Sequence, residues 1–166
     1  MKSGQYAPVY YLYGDEPYYI DRITDYIENN AIEEECRDFN QVVLYGLDTT
    51  MMQVIDNARA YPMMAQRRVV IVKESAPLFK TDAMTDILEN YLLNPSEQTI
   101  LVFTNKHGKI DRRTRISALL EKNGVVFESA AVKEEKIPEF VKEYVSSQGK
   151  DIDNKSCSLI VEAIGA

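Results

Sequence analysis

Apolar residues are distributed along the chain in two alternating patterns. Continuous apolar or β-branched runs occur at Val9 to Tyr13 (VYYLY), Phe39 to Tyr45 (FNQVVLY), Val69 to Val72 (VVIV), Thr99 to Phe103 (TILVF) and Val125 to Phe127. Runs of this length bounded by turn residues predict buried strands. Between them the apolar positions recur at helical spacing: Ile20, Ile23 and Ile27; Met51, Val54, Ile55 and Ala58; Met84, Ile87, Leu88, Tyr91 and Leu92; Ile116, Leu119 and Leu120. Asp21, Arg22, Asp25 and Glu28 fall on the opposite, solvated face of the first helix, which is expected to end near Asn29 and Asn30. The second helix is expected to stop at about Tyr61, because the residue before Pro62 avoids the α region.

Strands that alternate with helices predict a parallel sheet with right-handed crossovers and helices on both faces. The fold class is therefore α/β: a three-layer, doubly wound, five-stranded domain over residues 1–131. Beyond it the strands stop. Ile137, Phe140, Val141, Tyr144 and Val145 share one helical face with Pro138 in the first turn, Gly149 interrupts, and Asp153 or Asn154 can cap a helix carrying Leu159, Ile160, Ala163 and Ile164. Residues 132–166, starting at Val132, thus read as a partial helical domain, truncated before it completes a core.

Composition narrows the function. The formal charge of −7 opposes tight nonspecific grip on a phosphate backbone by the chain as a whole, so any role near DNA is expected to run through another protein. No apolar run approaches the roughly 18 residues of a spanning helix, and the N-terminus carries no apolar region with a cleavage site, which predicts a cytoplasmic location and no membrane partner. Cys36, Cys157 and the single His107 lack the spacing of a metal site or of Cys/His catalysis, so no metal is expected.

Three segments are candidates for chemistry or recognition. The turn Gly14, Asp15, Glu16 lies where a nucleotide-binding domain carries its phosphate loop, but it has one glycine, no Lys and two carboxylates that repel an anion. Helix capping by Asp15 or Glu16 is the plainer reading. Lys106, His107, Lys109, Arg112, Arg113 and Arg115 form the concentrated basic segment, either a contact for DNA or an acidic partner, or a solvated loop and helix start. Pro62, Met63 and Met64 fall in the connection before the third strand, where flexible, polarizable Met side chains suit either core packing or insertion into a partner's pocket. No carboxylate pair stands apart from surface charge, and no intrinsic catalysis is expected.

In order along the chain, YLYGDEPYYIDR (from Tyr11), AYPMMAQRRVVIV (from Ala60), TILVFTNKHGKIDRRT (from Thr99) and VVFE (from Val125) resemble the delta subunits of bacterial DNA polymerase III clamp loaders. The resemblance implies an AAA+/RecA-like ATPase core without a functional phosphate loop, no cofactor, and no ATP hydrolysis by this subunit. It implies binding to the beta sliding clamp through an apolar pair matched here by Met63 and Met64, after Pro62 and followed by the basic pair Arg67 and Arg68. Many relatives carry Pro-Phe-Phe where this chain has Pro62, Met63 and Met64. The family continues into a helical collar that joins the other loader subunits, so this chain is expected to be an N-terminal fragment. The alternatives are a degenerate phosphate-loop nucleotide-binding protein and a DNA-binding adaptor acting through residues 106–115.

Overall fold

The computed structural model describes residues 5–131 and 134–164, without the side chains of Ala83, Glu134 and Ile164. Val132 and Lys133, at the expected domain junction, lie outside the described residues. The chain divides into two compact units, one reaching Ser129 and the other beginning at Ala130.

The first unit contains β1 (Val9–Gly14), α1 (Pro17–Asn30), α2 (Arg37–Asn40), β2 (Gln41–Tyr45), α3 (Met51–Arg59), β3 (Arg68–Lys73), α4 (Asp82–Leu92), β4 (Thr99–Lys106), α5 (Arg115–Asn123) and β5 (Val125–Glu128). The strands form one five-stranded sheet in the order β2-β3-β4-β1-β5. Every adjacent pair is parallel, with Arg68 opposite Thr99, Gln41 opposite Val69, Val9 opposite Leu101 and Tyr10 opposite Val125.

Alternation along each strand sends residues to opposite faces. Val9, Tyr11, Val70, Val72, Leu101 and Phe103 pack with Val54 and Ile55 of α3, Leu88 and Tyr91 of α4, and Leu120 of α5. On the other face Tyr10, Leu12, Val69, Ile71, Ile100 and Val102 pack beneath Ile20 and Ile27 of α1. Leu12, Ile71, Leu101 and Phe103 are completely buried, and each side chain of this size stabilises the fold by about 1.5–3 kcal/mol. The Phe79 ring stands edge-on to both Tyr11 and Phe103, at 5.3 and 5.5 Å between centroids, and fills the first core beside the end of β3.

Two boundaries differ from the sequence expectation. Phe39 and Asn40 belong to α2 rather than to β2, because parallel pairing with β3 begins only at Gln41 opposite Val69. Helix α3 stops at Arg59, before Tyr61, where Ala60 turns to extended backbone, and its last carbonyls are taken by side chains from other elements. Thr99 Oγ1 donates to Ala58 O at 2.7 Å and Arg68 Nε donates to Asn57 O at 3.0 Å.

In the second unit, α6 (Ile137–Ser147) and α7 (Asn154–Ile164) are separated by Gly149, which takes the left-handed φ of 69°. Of the two capping candidates Asp153 is the one used, accepting from Ser156 N–H at 2.8 Å. The helices meet at the buried Cys157, whose thiol donates to Pro138 O at 3.4 Å. Among the described residues no helix is long and apolar enough to cross a membrane.

The exit of β1 is tied to the end of β5. Ser129 N–H donates to Tyr13 O at 2.7 Å and Glu16 N–H donates to Ser129 O at 3.0 Å. Gly14, at φ 127°, has no room for a side chain, since a Cβ there would lie 2.2 Å from Ser129 O. The variant Gly14→Ala is therefore expected to lose about 2–4 kcal/mol of stability, read as a lower urea midpoint with an unchanged slope.

Candidate functional site

The segment between α3 and β3 is held by its backbone while its side chains stay outside. Helix α3 starts with a reciprocal capping box, in which Gln53 N–H donates to Thr50 Oγ1 and Thr50 N–H to Gln53 Oε1. It buries Met51, Val54, Ile55 and Ala58 against the sheet. Ala60 is already extended, and Pro62 follows half-buried. Met63 N–H donates to Asn40 Oδ1 at 2.6 Å, and Asn40 Nδ2 donates to Met63 O at 2.7 Å. The Cys36 thiol donates to Met64 O at 3.3 Å.

Neither Met63 nor Met64 belongs to a core cluster, so the packing alternative is not met. Met63 is 58% and Met64 96% exposed, and Tyr61 and Phe39 are also exposed. Met64 adopts a left-handed φ of 54°, which costs a residue other than glycine on the order of 1–3 kcal/mol and persists only where neighbours over-determine it. Beside it a cavity of about 570 Å³ opens between Tyr6, Ile32, Cys36, Met64, Ala65 and Arg67.

Arg67 and Arg68, adjacent in sequence, do different things. The Arg67 guanidinium lies over the Tyr6 ring, 5.3 Å from its centroid. Arg68 turns inward: besides Asn57 O it donates to Asn57 Oδ1 at 3.3 Å and to Phe39 O at 3.0 Å. It braces α2, α3 and β3.

At Gly14, Asp15 and Glu16 the N-terminus of α1 is already occupied. The Glu16 carboxylate accepts from Tyr18 N–H at 3.0 Å, which makes Glu16 rather than Asp15 the cap, and the Glu16 N–H is bonded to Ser129 O. A carboxylate thus sits at the helix end that an incoming phosphate would use.

The basic segment is largely neutralised by acidic groups of the same chain. Lys106 pairs with Asp21 at 2.7 Å, Arg112 with Glu128 at 3.0 Å, Arg113 with Asp111 at 2.9 Å and Arg115 with Glu89 at 3.2 Å. Hydrogen bonds from Arg113 hold the Asp111 carboxyl at about 2, well below the usual carboxylate range. Lys109 lines a cavity of about 540 Å³ with Phe79, Ile110 and Ile116. Backbone geometry gives the adjoining His107 a left-handed φ of 58°, with its N–H donating to Gly14 O at 2.8 Å. Among the described residues no group of three or more His, Cys, Asp or Glu could hold a metal ion.

The sequence model of the family described as DNA polymerase III, delta subunit, matches residues 10–130. The chain belongs to this delta-subunit family. It is 27% identical over 169 aligned positions to the DNA polymerase III subunit delta of Bacillus subtilis, covering 97% of this chain and 48% of that protein. The solved structure of the Bacillus subtilis DNA clamp loader delta protein superimposes with a TM-score of 0.80 at 26% identity, over 96% of this chain and 49% of that one. The chain therefore spans about half the length of these delta relatives. Two Thermotoga maritima structures share the fold alone. A DNA polymerase III gamma subunit-related protein gives 0.52 at 13% identity, over 86% of this chain and 49% of that one. A single-residue variant of RuvB gives 0.51 at 15%, over 89% and 46%.

Sequence reasoning found the methionines of this delta-family chain but missed what holds them. Asn40 was hidden inside a run read as strand, and Arg68 looked like half of a surface pair. The one usable signal was a polar Asn at the edge of an apolar run, which demands a partner if buried. Replacing Arg68 by Ala is expected to cost about 0.5–1.5 kcal/mol of stability by removing its hydrogen bonds to Asn57 and to Phe39 O, measured by urea unfolding.

Proposed function

We propose that this chain is the clamp-binding part of a clamp-loader delta subunit, engaging the beta sliding clamp through Met63 and Met64. The observation that carries the reading is a pair of adjacent methionines, exposed on a loop whose backbone is fixed by buried polar groups. Side chains without rigid branching can fill an apolar pocket on a partner, and a fixed backbone lowers the entropy lost on binding. Pro62 sets the entry of the loop, and Arg67 lies at its far end for acidic groups on the clamp. Arg68 acts in this scheme by bracing the loop.

Opening of the ring is a matter of differential affinity. A protein that binds the open clamp more tightly than the closed one shifts that equilibrium by the difference and by no more. No covalent step is required of this chain, and ATP hydrolysis falls to sister subunits. The acidic turn at Asp15 and Glu16, with Glu16 capping α1, supports a domain that does not use a nucleotide. The paired charges of Lys106, Arg112, Arg113 and Arg115 support DNA contact that is at most weak or indirect. Helices α6 and α7 open a lid-like helical domain over residues 132–166, and the remaining loader contacts belong to the part of delta subunits that this chain does not span. The assembly works in the cytoplasm.

The double variant Met63→Ala, Met64→Ala, with its fold checked by circular dichroism, is expected to bind the organism's own clamp about a hundredfold more weakly than wild type. Equal binding by the two proteins in a titration would remove the proposed site. Addition of millimolar ATP with magnesium is expected to leave the melting temperature where it is; a rise of several degrees would mean that the domain binds nucleotide after all.

A further inference from the structure

We infer that Asn40 is the positioning residue of the Met63–Met64 loop, holding it in its binding conformation before any partner arrives; this rests on the clamp-binding reading above. Asn40 is completely buried, at the junction of α2 and β2. Its amide uses one acceptor and two donors: Oδ1 takes Met63 N–H at 2.6 Å, while Nδ2 gives to Met63 O at 2.7 Å and to Cys36 O at 2.9 Å. A primary amide is the side-chain group that offers an acceptor and two donors from one plane, and here all are engaged. Both main-chain polar groups of Met63 are thereby read by a single side chain from another element.

The exposed side chains of Met63 and Met64 give the loop no anchor of their own. The left-handed backbone of Met64 is an unfavourable conformation that the loop would leave if released. It is held on one side by Asn40 through Met63 and on the other by the Cys36 thiol on Met64 O. Without Asn40 the loop samples other conformations, and the clamp must select the competent one from a mixture, which lowers the apparent affinity by the competent fraction. Asn40 does this without touching the partner.

The test compares wild type, Asn40→Ala and Met63→Ala, Met64→Ala, alone and combined, for binding to the organism's clamp, with amide exchange followed at Met63, Val70 and Leu101. Asn40→Ala is expected to bind about tenfold more weakly. It should lose protection of the Met63 amide while Val70 and Leu101 in the sheet stay protected, and have no further effect once both methionines are removed. If Asn40→Ala does not fold, Asn40→Asp carries the comparison, since it keeps the acceptor for Met63 N–H and loses both donors; an affinity between wild type and the methionine double variant is then expected. Wild-type affinity with a freed Met63 amide overturns the positioning role, as does a tenfold loss that persists without the methionines. A wild-type chain that fails to bind the clamp at all overturns the clamp-binding reading, and this inference with it.

Discussion

Parallel strands cannot be joined by tight turns, so every connection in this sheet must cross a face and return to the same edge from which the previous strand began. All strand-to-helix turns therefore lie at one edge and all helix-to-strand connections at the other. The turn at Gly14 to Glu16 leaves β1 at the first edge. The Met63–Met64 loop enters β3 at the second. Because β2 and β3 are neighbours, the residues that enter them are neighbours too, and Asn40, just before β2, meets Met63, just before β3. The polar lock on the loop follows from strand order.

That separation places the Met63–Met64 loop at the opposite end of the sheet from the turn at Gly14 to Glu16. The first edge is closed by interactions within the chain: Glu16 caps α1, Ser129 bridges to β1, and Gly14 is pressed against Ser129 O. At the second edge the backbone is satisfied by Asn40, Arg68 and Cys36, and the apolar side chains are left outside. Holding a loop through the buried Asn40 while exposing its apolar side chains is the inverse of ordinary packing.

Charge is handled in the same local way. The acidic chain keeps a concentrated basic segment after β4, yet four of its cations face carboxylates drawn from α1, β5, α4 and the segment itself. Such exposed pairs contribute little stability. They offset much of the positive charge of that segment.

The sequence alone determined the layer architecture, because strand and helix periodicities are local properties: VVIV at Val69 and the Met51, Val54, Ile55, Ala58 stripe each carry their own period. It also marked the acidic turn at Asp15 and Glu16 and the unusual Pro62, Met63, Met64 segment, through residue types that need no partner to be recognised. Only the tertiary structure decided that both methionines face outward, that Arg68 points in while Arg67 stacks on Tyr6, and that Phe39 lies outside β2. It alone assigned Asn40 to Met63, 23 positions away. The physical reason is that a side chain's role here depends on which hydrogen-bond partners strand pairing brings within about 3 Å, and that pairing is set by neighbours distant along the chain.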